Sequence, residues 1–279
     1  MASSRKRTRN LVLIYVSLSL ILFVIIIAPF FWLIKTSLEN RNNLFVWPPR
    51  LWPEVTLRAY QQVLFEAKTL QWMKNSLLVA GMTTLATMFF ATFTSYSLSR
   101  FNTRTNRIIG YFILATQMVP GAIYMLPIFL QFTKWKMVDT HLGAIIAFST
   151  FSLPLCVWML KGYFDSIPVE LEDSAQIDGC NRIGAMFRVV VPLALPGYIS
   201  TIIYSFLLGW NEYVYVFVLM RSQANWLLSN GIASYFGEYS TSWDFVMASA
   251  VIYTIPPILL NLFLQKYLVQ GLTAGAVKA

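Results

Sequence analysis

The sequence predicts an all-α integral membrane protein with six transmembrane helices, and three features carry that prediction. Hydrophobic residues make up 57% of the 279-residue chain and charged residues only 12%, where a soluble domain carries about 25% charge. The apolar residues fall in long uncharged blocks, and a helix needs about 20 such residues to cross a hydrocarbon core. Several blocks contain proline, which a helix in lipid tolerates only where neighbouring helices or a water-lined cavity satisfy the freed backbone groups.

The first block, residues 11–34, follows the basic cluster Arg5, Lys6, Arg7 and Arg9. A cleaved signal has an apolar core of about 7–15 residues and a small-residue cleavage site. This run is longer, and Ala28-Pro29-Phe30-Phe31 offers no such site, so residues 1–34 read as a cytoplasmic amino terminus and a retained first span. Residues 35–74 are rich in Pro, Trp and Asn (Phe45-Val46-Trp47-Pro48-Pro49) and read as a folded external loop. The remaining spans are expected at 75–99, 108–132, 142–160, 193–220 and 245–264, all within a core of residues 75–265, followed by a tail at 266–279. The third, fourth and sixth carry Pro120 and Pro127, Pro154, and Pro256-Pro257. A bundle lining a path would explain these prolines; simple kinks without a path would give the same pattern.

Lys and Arg favour cytoplasmic loops. The amino-terminal cluster therefore faces the cytoplasm, together with Arg100, Arg104 and Arg107, the loop 161–192 and the tail. The net charge of +9 lies beside apolar blocks, which suits topology anchoring and lipid headgroups rather than nucleic acid. Cys156 and Cys180 lack CxxC spacing and His141 has no ligand partner near it in sequence, so neither a disulfide nor a metal centre is expected.

Residues 161–192 hold the most informative pattern. Pro168 suits the first turn of a helix, and Glu170, Glu172 and Asp173 suit its positive amino-terminal end. Asp178-Gly179 stops it, since glycine takes the left-handed cap without steric cost. A second helix then places Ile183, Met186, Phe187 and Val190 on one face until Pro192. On physics alone, such a pair could lie on the membrane interface.

The run Asp173-Ser174-Ala175-x-x-Asp178-Gly179, followed after nine residues by Val189-x-Val191-Pro192, resembles the EAA loop of binding-protein-dependent ABC permeases. That loop reads Glu-Ala-Ala, three residues, Gly, nine residues, Ile-x-Leu-Pro. Here Asp replaces Glu, Ser replaces the first Ala, and valines replace Ile and Leu. Gly209-Trp210-Asn211-Glu212-Tyr213 and the ending Gly271-Leu272-Thr273-Ala274-Gly275-Ala276-Val277-Lys278 are similar to stretches of the carbohydrate permeases of the maltose-type partner class.

The resemblance implies a type I ABC importer permease fold in a bacterial inner membrane, with both termini cytoplasmic. Glu172, Asp173, Ser174, Ala175, Asp178, Gly179 and Phe187 would form the surface that couples to an ATPase. No Gly-x4-Gly-Lys-Ser/Thr phosphate loop is present, so ATP and Mg would sit on a separate ABC ATPase dimer and this chain is not itself an enzyme. A second homologous permease would complete the pathway. An external or periplasmic solute-binding protein would deliver a carbohydrate.

Glu212 is the single acid deep in an expected span, and an intramembrane charge marks either function or a buried structural partner. Gln117, Tyr124, Asn211 and Asn261 are further polar or aromatic groups that could line the path. The rival reading, an ion-coupled secondary transporter, predicts inverted repeats and several intramembrane ionisable groups; the sequence shows one acid and no repeat. A purely structural membrane anchor leaves the broken spans and the EAA-like loop without a purpose.

Overall fold

The computed structural model describes residues 2–49, 51–52, 54–66, 68–237 and 241–276. In chain order the helices are α1 (Ala2–Ser37), α2 (Arg58–Gln61), α3 (Thr69–Arg100), α4 (Arg104–Thr116), α5 (Gly121–Lys134), α6 (His141–Asp165) and α7 (Glu170–Ile177). They continue as α8 (Arg182–Ala185), α9 (Val191–Leu193), α10 (Leu195–Asn211), α11 (Val214–Leu219), α12 (Leu228–Ala233) and α13 (Trp243–Ala276). Among the described residues the sole β pairing is an isolated bridge between Phe236 and Thr241.

Among the described residues, four single helices are long and apolar enough to cross a membrane: Ile14–Ser37, Thr69–Arg100, His141–Asp165 and Trp243–Tyr267. Two bent pairs bring the number to six if each is one span, α4 with α5 at 98° and Arg182–Leu193 with α10 at 80°. The prolines divide unevenly. Pro29, Pro154 and Pro256-Pro257 lie inside continuous helices, whereas Pro120 precedes the first residue of α5, at the sharp break.

Two expected spans are corrected by these breaks. Residues 108–132 are not one kinked helix: α4 stops at Thr116 and α5 starts afresh at Gly121. In residues 193–220, α10 ends at Asn211, and Glu212 leaves the helix with extended backbone, φ −69° and ψ 122°. At the other end of the chain, α13 runs on past residue 266 into the expected tail, and residues 277–278 of the ending quoted above lie outside the described residues.

The chain divides into two compact units. One contains the segment up to Thr69 and Ile232–Thr254. Here the region after α1 folds on itself: Lys35 and Glu39 form a buried ion pair, the Ser37 and Tyr60 hydroxyls share a hydrogen bond of 2.7 Å, and Thr56 N–H donates to the Leu38 carbonyl at 2.8 Å.

The other unit contains Leu70–Gly231 and the chain from Ile255. Val79, Phe132, Ala147, Phe148, Val216 and Leu219 pack in one buried cluster, Ala91, Cys156, Val157 and Leu160 in a second. Hydroxyls join the helices where lipid offers no competing water: Thr87 to Ser152 at 2.6 Å, and Ser95 Oγ to the Val157 carbonyl at 2.8 Å. Gly197 brings α10 against α6, since a Cβ there would lie 2.4 Å from the Tyr163 ring.

Candidate functional site

Helix α7 carries three carboxylates in its first turn, Glu170, Glu172 and Asp173, and they point to different places. Pro168 stands one residue before the Val169 cap rather than in the first turn, which fixes the phase of the helix. Glu172 turns inward and is buried, whereas Asp173 and Ser174 are exposed. Tyr96 donates its hydroxyl to Glu172 Oε2 at 2.7 Å, and Arg100 Nε donates to Glu172 Oε1. The same guanidinium donates to the Phe164 carbonyl at 2.9 Å and the Ile167 carbonyl at 3.2 Å. One arginine at the end of α3 thus binds a carbonyl in the last turn of α6, a second carbonyl in the link that follows, and the first turn of α7. Beside it, Tyr96, Phe164, Ile167, Met186, Val190 and Ala194 form a shared apolar core.

The far end of α7 closes in a left-handed cap. Gly179 has φ +94°, its N–H donates to the Gln176 carbonyl at 3.1 Å, and Cys180 N–H donates to the Ala175 carbonyl at 3.0 Å. This is the two-bond helix stop that glycine permits. Asn181 then caps α8 by accepting the Gly184 N–H at 2.7 Å.

The second helix of the pair departs from its expected form. It widens into a π turn over Met186–Val190 and continues through Pro192 to Leu193. The expected single face is split: Met186 and Val190 are buried, while Ile183 is 61% exposed and Phe187 49%. Phe187 still touches the membrane-embedded helices, its ring centroid 6.1 Å from that of Phe93. With Ile177 86% exposed, the helix pair presents an apolar and acidic outer surface of Asp173, Ser174, Ile177, Asp178 and Ile183. Ala175 is half-buried between the two sides.

The residues expected to line a path fall into two groups. Gln117 ends α4, and its Nε2 donates to the Phe151 carbonyl at 3.4 Å. Glu212 accepts the Tyr215 N–H at 3.0 Å, which caps the start of α11, and its carbonyl accepts from Ser229 Oγ at 3.1 Å. The Tyr215 ring packs against Phe151 with centroids 4.7 Å apart and planes tilted by 51°, and its hydroxyl donates to the Gly121 carbonyl at 2.5 Å. Gln117, Asn211 and Glu212 therefore stand at two helix breaks that Tyr215 joins, and Tyr124 lies in the first turn of α5 after one of them. Asn261 stands apart: it is exposed and its Nδ2 donates to the Pro257 carbonyl of its own helix at 3.3 Å.

The sequence reading passed over three residues that organise this unit. Arg100 read as a topology anchor, though Tyr96 and Arg100 share one helix face at i, i+4 in the last turns of α3. Tyr215 was one aromatic among many. Asp139, with φ +61°, accepts the N–H groups of Arg221 at 2.9 Å and Ser222 at 3.0 Å, tying the α5–α6 turn to the segment after α11. Burial raises the Asp139 pKa, but the amide hydrogens of Ser222 and Arg221 outweigh it and hold the carboxyl below its ordinary range.

The chain belongs to the family described as binding-protein-dependent transport system inner membrane component, whose profile matches residues 89–274. It is an ABC transporter permease subunit, a multi-pass membrane protein and a transport component rather than an enzyme. It is 31% identical over 279 residues to the inner membrane ABC transporter permease protein YcjP of Escherichia coli K12, covering 99% of each chain. It is 33% identical to the sulfoquinovosyl glycerol transport system permease protein SmoH of Agrobacterium fabrum C58, covering 92% of this chain and 91% of that one. A crystal structure of a bacterial ABC transporter that imports the acidic polysaccharide alginate shares the fold. Its TM-score is 0.81 at 23% identity, covering 93% of this chain and 96% of the other.

Proposed function

We propose that this chain forms half of the transmembrane pathway of an ATP-driven bacterial importer for a carbohydrate. A second, homologous permease forms the other half, an external binding protein delivers the sugar, and an ABC ATPase dimer holding ATP and Mg drives the cycle. The amino and carboxyl termini lie in the cytoplasm. Relatives named for sulfoquinovosyl glycerol and alginate transport support the carbohydrate class.

The observation that carries the reading is the two-sided helix α7. Its inner face is fastened to α3 and α6 through Glu172, and its outer face presents Asp173, Ser174 and Ile177. A helix held this way transmits a push as a rigid body. Asp173, Ser174, Asp178 and Ile183 seat in the ATPase, Gly179 sets the angle between the two short helices, and Glu172 holds the lever from within. Closure of the ATPase on ATP biases a two-state membrane unit toward its outward-open form. In this reading Gln117, Asn211 and Glu212, at or beside the breaks at 117–120 and 212–213, line the path together with Tyr124 in the first turn of α5; unwound backbone is tolerated at membrane depth only where protein or a water-filled cavity surrounds it.

Cysteine labelling in intact cells tests the placement. Cysteines at Asn42 and Ala224 are expected to react with an impermeant thiol reagent, whereas native Cys180 and a cysteine at Thr105 are not. External labelling at 105 overturns the orientation and removes the coupling loop from the ATPase. Affinity purification of the chain from its native membrane is expected to bring down an ABC ATPase and a second permease.

A further inference from the structure

We infer that Arg100 is a positioning residue for transport, the joint through which movement of α7 reaches α3 and α6. The inference rests on the importer reading above and goes beyond it, to how the coupling helix is linked to the spans.

The Arg100 and Glu172 side chains are 7% and 3% exposed, so their ion pair is taken out of water. Two buried charges justify their desolvation only when the remaining donors and lone pairs are also satisfied. They are satisfied here: Arg100 reaches Glu172, Phe164, Ile167 and Ser99, and Glu172 also receives Tyr96. A fork of five donors is what lets one side chain bind three segments at once, which lysine cannot do. The neighbouring pair Lys161–Asp165 spans one helix turn within α6, and Ser99 Oγ donates to Asp165 Oδ1 at 2.6 Å, so these contacts join α6 to α3 and do not reach α7. Because Glu172 and Asp173 are successive residues on a helix, fixing Glu172 inward also fixes Asp173 outward. The joint therefore sets which face α7 offers to its driver and passes the driver's movement to the membrane helices.

The test uses the complex purified with its ATPase and partner permease, reconstituted in liposomes. A cysteine at Gln117, with Cys180 changed to Ser, reports pathway opening through labelling by an impermeant thiol reagent. Labelling with ATP and vanadate is compared with labelling without nucleotide, and ATP hydrolysis is measured in the same samples. Arg100→Gln is expected to reduce the nucleotide-dependent change in labelling about tenfold, the upper range of coupling losses at such intermediate residues, while ATP hydrolysis continues. Arg100→Lys is expected to behave likewise, keeping the charge but losing the fork. Arg100→Gln with Glu172→Gln removes the unpaired buried carboxylate, so protein abundance is expected to recover while coupling is not. Recovery of coupling in that double variant overturns the inference, since the pair would then serve folding alone. Wild-type coupling in Arg100→Gln also overturns it, leaving the importer reading intact. A wild-type complex whose labelling ignores nucleotide overturns both.

Discussion

The Glu212 carboxylate accepts the Tyr215 N–H at 3.0 Å, so the acid that looked like an isolated charge within a span is the cap of a short helix inside a broken one. Capping side chains are worth about 1 kcal/mol. Glu212→Gln keeps an acceptor at the same place and is expected to retain most transport. Glu212→Leu removes it and is expected to lose transport and about 1–2 kcal/mol of stability, measured as uptake and as thermal unfolding in detergent. Equal activity in both variants would show that the cap does not matter.

Gly179 presents the opposite situation, a constraint of backbone and not of space. A Cβ at this position meets nothing within 4 Å, yet φ is +94°. Gly179→Val is expected to cost roughly 1–2 kcal/mol from the left-handed backbone, leave membrane abundance near normal, and lower uptake and ATP hydrolysis together. Gly179→Asn is expected to retain more of both, because asparagine visits this region more readily.

Helix packing gives a pair of contrasting glycines. Gly197→Ala drives a methyl group to 2.4 Å from the Tyr163 ring, while Gly81→Ala meets nothing within 4 Å. The first is expected to destabilise by about 1–3 kcal/mol. The second is expected to be neutral or to stabilise by up to about 1 kcal/mol, as alanine does in a helix interior. Melting temperatures of the two purified variants check both signs.

Much of this arrangement was legible in the sequence, and the parts that were not share a cause. Long uncharged runs mark membrane helices whatever their neighbours, so the apolar segments that form four single helices and two bent pairs, and the EAA-like loop, could be read directly. The breaks after Thr116 and Asn211 could not, because hydrophobicity continues across both. Pro120 signals a kink, but neither the 98° bend nor the distant Tyr215 hydroxyl that donates to the Gly121 carbonyl beside it can be read from the local sequence. The roles of Glu172 and Asp173 were inseparable for a similar reason. They are adjacent carboxylates in one motif, and only the phase of α7 sends one inward to Arg100 and the other to the surface.

Asp139 gives a prediction in pH. Its folded pKa lies below the ordinary 3.8, so its contribution to stability is fully present above that value and is lost as pH falls through the folded pKa. Asp139→Ala is expected to destabilise by about 1–3 kcal/mol, the cost of leaving the Arg221 and Ser222 amides without an acceptor. The difference from wild type is expected to stay constant between about pH 5 and 8 and to shrink only in stronger acid, as followed by thermal unfolding. A difference that grows toward low pH would contradict the assignment.

The central claim is that this chain moves its solute only when an ATPase drives its coupling loop. Uptake into proteoliposomes tests it most directly, with the permease pair reconstituted with and without the ATPase and supplied with the binding protein and a labelled sugar that the binding protein retains. Accumulation is expected to require both the ATPase and ATP, with hydrolysis stimulated by the loaded binding protein. Uptake by the permeases alone, following an ion gradient and indifferent to ATP, would contradict it.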